Sequence, residues 1–152
     1  ADRLVLEITE GAIMADPGHA RMVLSELQRT GVQVALDDFG TGYSSLAHLR
    51  QLPVNEIKID RSFVGQMLKE ESDAIIVEAI IGLGHNLGLR VIAEGVEDQA
   101  SWERLADFGC DSAQGFLISP GLPIDGLVSW QQRWTVSRIV ARSGDEGLTR
   151  AS

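Results

Sequence analysis

Hydrophobic and polar positions recur along the chain in two rhythms, one of period two and one of three to four, and the two alternate. Arg3 to Glu10 (R-L-V-L-E-I-T-E) is apolar and β-prone, then turns acidic at Glu7 and Glu10. Asp16-Pro17 reads as a helix start, with Asp as the N-cap and Pro at the first helical position. Ala20, Val23, Leu24 and Leu27 follow at helical spacing, and Gly31 supplies the stop. Val32 to Asp37 is a second strand, and Ser44 or Ser45 predicts a short helix carrying Leu46 and Leu49 that Pro53 closes. Glu56 to Asp60 (E-I-K-I-D) alternates charged and apolar residues, which puts Glu56, Lys58 and Asp60 on one side of a third strand. A helical turn is expected within Arg61 to Lys69. A longer helix from about Ser72 carries Ile75, Ile76, Ala79, Ile80, Leu83 and Leu87 as its apolar face, with Gly88 after it. Leu89 to Ala93 is a fourth strand ending in Glu94-Gly95-Val96-Glu97. Asp98 caps a helix bearing Trp102 and Leu105, which Gly109 terminates, and Asp111 to Phe116 is a weak fifth strand. Ile124 to about Trp134 is a last amphipathic helix with Leu127, Trp130 and Trp134 on one stripe. Residues 135–152 show no packing pattern and are expected to form a polar tail.

Strand followed by helix, about five times over, means a parallel sheet with right-handed crossovers. A complete eight-unit barrel takes about 250 residues. The chain's 152 residues suit either the back portion of such a barrel or a small open sheet, and periodicity leaves both open. A hydrophobic fraction of 44% with 23% charged residues is that of one ordinary globular domain. No apolar run reaches membrane-spanning length, and no signal peptide is apparent. The single Cys110 excludes an internal disulfide, suits a reducing compartment and is expected to be small buried filler. A net charge of −9 argues against a general nucleic-acid binder, yet leaves room for a small phosphate ligand, because bound metals reverse the local sign. The chain starts at Ala1, without Met, and enters a strand pattern almost at once, so it reads as cut from something longer.

The densest chemistry lies in Ala35 to Leu46 (A-L-D-D-F-G-T-G-Y-S-S-L), where an apolar strand ends in Asp37 and Asp38 beside a loop with Gly40 and Gly42. Adjacent carboxylates resist burial unless something cationic sits between them, and a divalent metal is the usual resolution. Asp-Phe-Gly also occurs in protein kinases, but the other kinase motifs are missing. Gly40-x-Gly42 lacks the third glycine of a dinucleotide loop. The plainest reading is that the aspartates cap a turn. The other strand ends shift the balance toward a hard-metal site. Glu7 and Glu10, Lys58 and Asp60, Glu94 and Glu97, and Gln114 all fall where parallel strands present one common rim. His19, His48 and His85 fall in predicted helices away from that rim, and the three tryptophans are expected to pack helices onto the sheet.

These residues carry a specific resemblance. L-E-I-T-E (6–10), D-D-F-G-T-G-Y-S-S-L (37–46), L-P-V-N-E-I-K-I-D-R-S-F-V (52–64), A-E-G-V-E (93–97) and A-Q-G-F (113–116) stand in the order and spacing of the C-terminal part of an EAL-domain cyclic di-GMP phosphodiesterase. The resemblance implies a modified TIM-type (β/α)8 barrel, of which residues 1–134 would hold the fourth to eighth βα units. It implies a two-metal site using Mg2+ or Mn2+, with Glu7 on the first ion, Asp37 bridging both and Asp38 on the second. Lys58 resembles the lysine that contacts the attacking water, and Glu94 the acid that completes the water and metal network. Glu10 resembles the residue holding the glycine loop, with Asp60, Glu97 and Gln114 as supporting groups. The implied reaction is hydrolysis of cyclic di-GMP to linear pGpG in cytoplasmic bacterial signalling, without DNA or RNA duplex or membrane contact. Upstream sensory or GGDEF-type domains would be attached, and a homodimer is compatible. The alternative is a silent EAL domain acting as a cyclic di-GMP sensor or an interaction module. The family's Glu-Ala-Leu motif, an Arg-x-Gln-Pro type segment and a metal-binding Asn belong to the first three strands and are absent from this sequence, so the chain alone is expected to be inactive. Asn55 stands where Asp is usual, and Ser119-Pro120-Gly121 replaces the usual basic-Pro step.

Overall fold

The computed structural model describes residues 4–42 and 49–142, the side chains of 135–142 excepted. Its strands are β1 (Val5–Thr9), β2 (Gln33–Phe39), β3 (Glu56–Ile59), β4 (Arg90–Ala93) and β5 (Ser112–Ala113). All pair in parallel, in the sequential order β1-β2-β3-β4-β5, so every C-terminal end lies on one rim. The helices are α1 (Glu10–Ala15), α2 (Pro17–Arg29), α3 (Arg61–Val64), α4 (Glu71–Asn86), α5 (Gln99–Asp107) and α6 (Ile124–Arg142). Between helices and sheet lies a core of Val34, Leu36, Ile57, Ile59, Val77, Ile81, Val91 and Leu105, each nearly or wholly removed from water.

Local chemistry sets the boundaries. Asp16 caps α2 by accepting from the amide of His19 at 3.0 Å, and Asp98 caps α5 through the amide of Ser101 at 2.8 Å. Asn55 does at the entry of β3 what an aspartate could do, its Oδ1 accepting from the Val34 amide at 2.9 Å. His85 pairs with Asp111 at 3.0 Å, and the same Asp111 oxygen accepts from the Val91 amide at 2.8 Å, tying α4 to the start of β4.

Three expectations are corrected. β3 ends at Ile59, so Asp60 does not continue the Glu56–Lys58 side of the strand. Instead it caps α3, accepting from the amide and hydroxyl of Ser62. In α4 the buried face is Ala74, Val77, Ile80, Ile81 and Gly84, while Ile75, Ile76 and Ala79 are exposed. That helix is apolar almost all round, so periodicity could not single out one face. Val91 settles the choice, since a Cβ on Gly84 would lie 2.4 Å from its Cγ2 and only glycine admits the strand that close. Finally, α6 runs on to Arg142 rather than ending near Trp134. Trp102 does pack against the core, whereas Trp130 and Trp134 stack on each other with centroids 5.9 Å apart. The expected helix start at Ser44 or Ser45, His48 and residues 143–152 lie outside the described residues, although Leu49 is helical and buried.

Cys110 is half-buried against the core, its thiol directed at the carbonyls of Val91 and Ser112 at 3.4 and 3.2 Å. Burial pushes the thiol up to about 11 from 9.0. The native protein is therefore expected to alkylate at pH 8 at least about tenfold more slowly than in denaturant, since the thiolate is the nucleophile. The raised value also means that the folded state holds this proton more tightly. The associated stability is complete below pH 9.0 and is lost as pH rises through about 11. Timed alkylation with mass detection, native against denatured, checks the first expectation.

Candidate metal centre

The register of β2 explains how two neighbouring aspartates share one rim. In a regular strand Asp37 and Asp38 would point to opposite faces. Leu36 pairs with Ile57 but Phe39 with Ile59, so three steps on β2 match two on β3 and the strand bulges at the aspartates. Asp38 takes φ 55°, a left-handed conformation that Asp tolerates better than most residues. The bulge restores the pattern for buried Phe39 and lets both carboxylates serve the rim. Oxygens of Asp37, Asp38 and Glu94 all come within 4.8 Å of one another.

Lys58 stands at the centre. Its ammonium is buried on β3 and reaches Glu7 of β1 at 2.7 Å, Asp37 of β2 at 3.3 Å and Glu94, just beyond β4, at 2.5 Å. Burial alone would lower its pKa. The hydrogen bonds of Glu7 and Glu94 and the charges of Glu94 and Asp37 outweigh that and hold it above its ordinary value. Glu94 Oε1 also accepts from Gln114 Nε2 at 2.7 Å, so two donors fix the same oxygen and leave Oε2 to face elsewhere. One ammonium does not balance the rim's carboxylates. Burial first, then the charges of Asp37 and Asp60, push Asp38 above its usual range, with Lys58 pulling the other way. For Asp60, burial is outweighed by the hydroxyl and amide of Ser62, the amide of Arg61 and the Arg61 charge, so its carboxyl is held low.

Within this group of carboxylates, Asp37 carries the sign of an additional cation. Its Oδ1 is buried and, although 3.3 Å from Lys58 Nζ, has no hydrogen-bond partner among the described residues. That contact is an ion pair by proximity without donor geometry. A buried carboxylate oxygen left so is costly unless a cation reaches it. The ligand atoms that Asp37, Asp38 and Glu94 bring together are carboxylate oxygens, which suits hard ions such as magnesium or manganese. The residues therefore fit a divalent metal, with Asp37, Asp38 and Glu94 nearest one another and Glu7 turned toward Lys58.

Glu10 lies apart from that group. It opens α1, a helix that the pattern of the chain did not predict, and is 3% exposed with neither oxygen hydrogen-bonded among the described residues. A Cβ added to Gly42 would fall 2.6 Å from Glu10 Oε1, so the glycine loop lies directly against this carboxylate. Gly42→Ala and Glu10→Ala are expected to share one phenotype in the full-length protein, a turnover loss of roughly tenfold or more with a smaller loss of metal affinity. Metal titration beside steady-state kinetics checks this, and equal losses in Glu10→Ala would make Glu10 a ligand. Glu97 is exposed, and among the described residues nothing holds its side chain. What residue types alone do not show are the tight contacts of Gly95 and Gly115, the glycines directly after Glu94 and Gln114, where an added Cβ would fall 2.6 Å from Arg61 Cβ and 2.2 Å from Val96 O.

Acidic groups at the C-terminal ends of parallel strands, gathered round a buried lysine, define an α/β protein whose rim offers hard oxygen ligands to a cation. The EAL domain family model matches residues 1–121, and the chain belongs to that family. The bifunctional diguanylate cyclase/cyclic di-GMP phosphodiesterase MucR of Pseudomonas aeruginosa is 45% identical over 126 residues, which is 83% of this chain and 18% of MucR. The structure of the PaMucR phosphodiesterase in complex with c-di-GMP superposes with a TM-score of 0.81 at 45% identity, covering 83% of this chain and 51% of the other. The manganese/cyclic-di-GMP complex of Klebsiella pneumoniae BlrP1 gives 0.71 at 34% identity, covering 76% and 30%. The chain thus spans about half the length of the first of these structures and less of the other two proteins. Its five-stranded sheet is the back portion of a TIM-like barrel, which decides between the two architectures that periodicity left open. No helix of the described residues is long and apolar enough to cross a membrane.

Proposed function

We propose that the full-length protein hydrolyses cyclic di-GMP to linear pGpG with two divalent cations, Mg2+ or Mn2+, held in part by this segment. The observation that carries the reading is the buried oxygen of Asp37, without a hydrogen bond among the described residues, within reach of Asp38, Glu94 and Lys58. Asp37 would bridge the two ions, since one carboxylate can offer an oxygen to each, with Glu7 on the first and Asp38 on the second. Bound there, the cations supply an activated water and Lewis-acid stabilisation of the phosphoryl group. Lys58 would hold the attacking oxygen with an N–H it now gives to a carboxylate, and Glu94, fixed by Gln114, would orient the same water through its remaining oxygen. Asp60 would act indirectly, by capping α3 behind Asp38, and Glu10 by seating the glycine loop. A reducing, cytoplasmic setting suits the single unpaired thiol. The input would come from sensory or GGDEF-type domains outside this segment.

Lys58→Met separates chemistry from binding. It is expected to lower turnover at least about a hundredfold while changing cyclic di-GMP affinity, measured calorimetrically with calcium as a non-supporting ion, by less than about threefold. Binding lost as completely as turnover would make Lys58 a substrate clamp and overturn this mechanism.

A further inference from the structure

The loops that carry Glu94 and Gln114 are interlocked through two glycines. Glu94 leaves β4 with its amide bonded to the Ile59 carbonyl at 3.1 Å. Gly95 follows at φ 69°, and a Cβ on it would lie 2.6 Å from Arg61 Cβ and 3.4 Å from Arg61 Cα. Arg61 stands three residues after Lys58, so Gly95 is where the exit of β4 meets the exit of β3 without clearance. The next residue, Val96, is fully buried. Its amide donates to the Gln114 carbonyl at 3.1 Å, and its carbonyl accepts from the Leu117 amide at 3.0 Å. Between those two bonds sits Gly115, where a Cβ would fall 2.2 Å from Val96 O and 2.3 Å from Val96 N. Backbone atoms cannot swing aside as a flexible side chain can.

We infer that Gly95 and Gly115 are positioning residues. By letting three strand exits touch backbone to backbone, they set where the Glu94 carboxylate stands relative to Lys58 and Gln114, and so tune metal affinity and turnover. The glycines contact no reacting group themselves. A methyl group at either site must push apart the loops whose side chains meet at 2.5 and 2.7 Å, and hydrogen bonds do not survive a displacement of an ångström. The inference deepens the phosphodiesterase reading and rests on it for its functional half.

The test uses the full-length protein and three readouts: hydrogen exchange of peptides covering 94–97 and 114–118, Mn2+ affinity by calorimetry, and pGpG release. Gly95→Ala should speed exchange at the Val96 and Leu117 amides, weaken Mn2+ about tenfold and lower turnover about thirtyfold. Gly95→Asn, which accepts the left-handed backbone yet still carries a Cβ, should behave alike. Adding Arg61→Gly to Gly95→Ala removes the opposing Cβ and should return Mn2+ affinity to within about threefold of wild type, with Arg61→Gly alone equally close. Gly115→Ala meets backbone and should be more severe. Unchanged exchange in Gly95→Ala would overturn the lock. Faster exchange with unchanged Mn2+ affinity and turnover would overturn its positioning role, as would a double variant no better than Gly95→Ala. A wild-type protein that neither binds Mn2+ nor releases pGpG would overturn the phosphodiesterase reading instead, while the exchange data would still judge the lock.

Discussion

Asp37→Asn in the full-length protein is expected to cut hydrolysis of cyclic di-GMP by at least roughly a hundredfold, because it neutralises a proposed ligand of both cations at once. The fold should tolerate the change. Among the described residues Asp37 Oδ1 forms no hydrogen bond that the amide would break, and losing its attraction to Lys58 is offset by relief of its repulsion of Asp38. Thermal unfolding without added metal should therefore stay within a few degrees of wild type, while the stabilisation that wild type gains from Mg2+ or Mn2+ should largely vanish. Turnover within tenfold of wild type at saturating magnesium would remove Asp37 from the bridging position.

The 152 residues on their own are expected to be inactive and to self-associate. Among the described residues β1 and β5 are each paired on one side only. Leu4 just before β1, Val5 and Leu6 on it and Phe116 after β5 are exposed, where a closed barrel would cover them. The motifs that the resemblance assigns to the first three strands are absent from this sequence, so under the proposed function the acidic rim would lack part of its ligand set. Purified Ala1 to Ser152 should therefore elute as oligomers, unfold with low cooperativity and release no pGpG with either metal. Supplying the front half of the barrel in trans should raise both stability and turnover. A monomeric, cooperatively folded and fully active segment would contradict the partial-barrel account.

Much of this was legible from the residues, for identifiable reasons. Asp16-Pro17 and Asp98 announced helix starts because caps are local chemistry, readable without knowing the neighbours. The rim could be assembled on paper because parallel strands send every C-terminal end to one side. What stayed hidden depends on partners far away in sequence. The bulge at Asp37–Asp38 exists only in the pairing of β2 with β3, and without it the two carboxylates would have been assigned to opposite faces. Glu10 looked like the end of a strand because L-E-I-T-E is uniformly β-prone, yet it begins a short helix that carries its carboxylate under the glycine loop. The buried face of α4 was misread because isoleucines fill both sides, and only the approach of Val91 to Gly84 selects one. Gly95 and Gly115 drew no notice because a glycine's closest contacts leave no trace in its own residue type.

The most direct measurement of the central claim is product analysis with the full-length protein, cyclic di-GMP and controlled metal. The account predicts linear pGpG as the product, its formation abolished by a chelator and restored by Mg2+ or Mn2+. Tight binding of cyclic di-GMP without turnover at saturating metal, or turnover indifferent to the chelator, would contradict it.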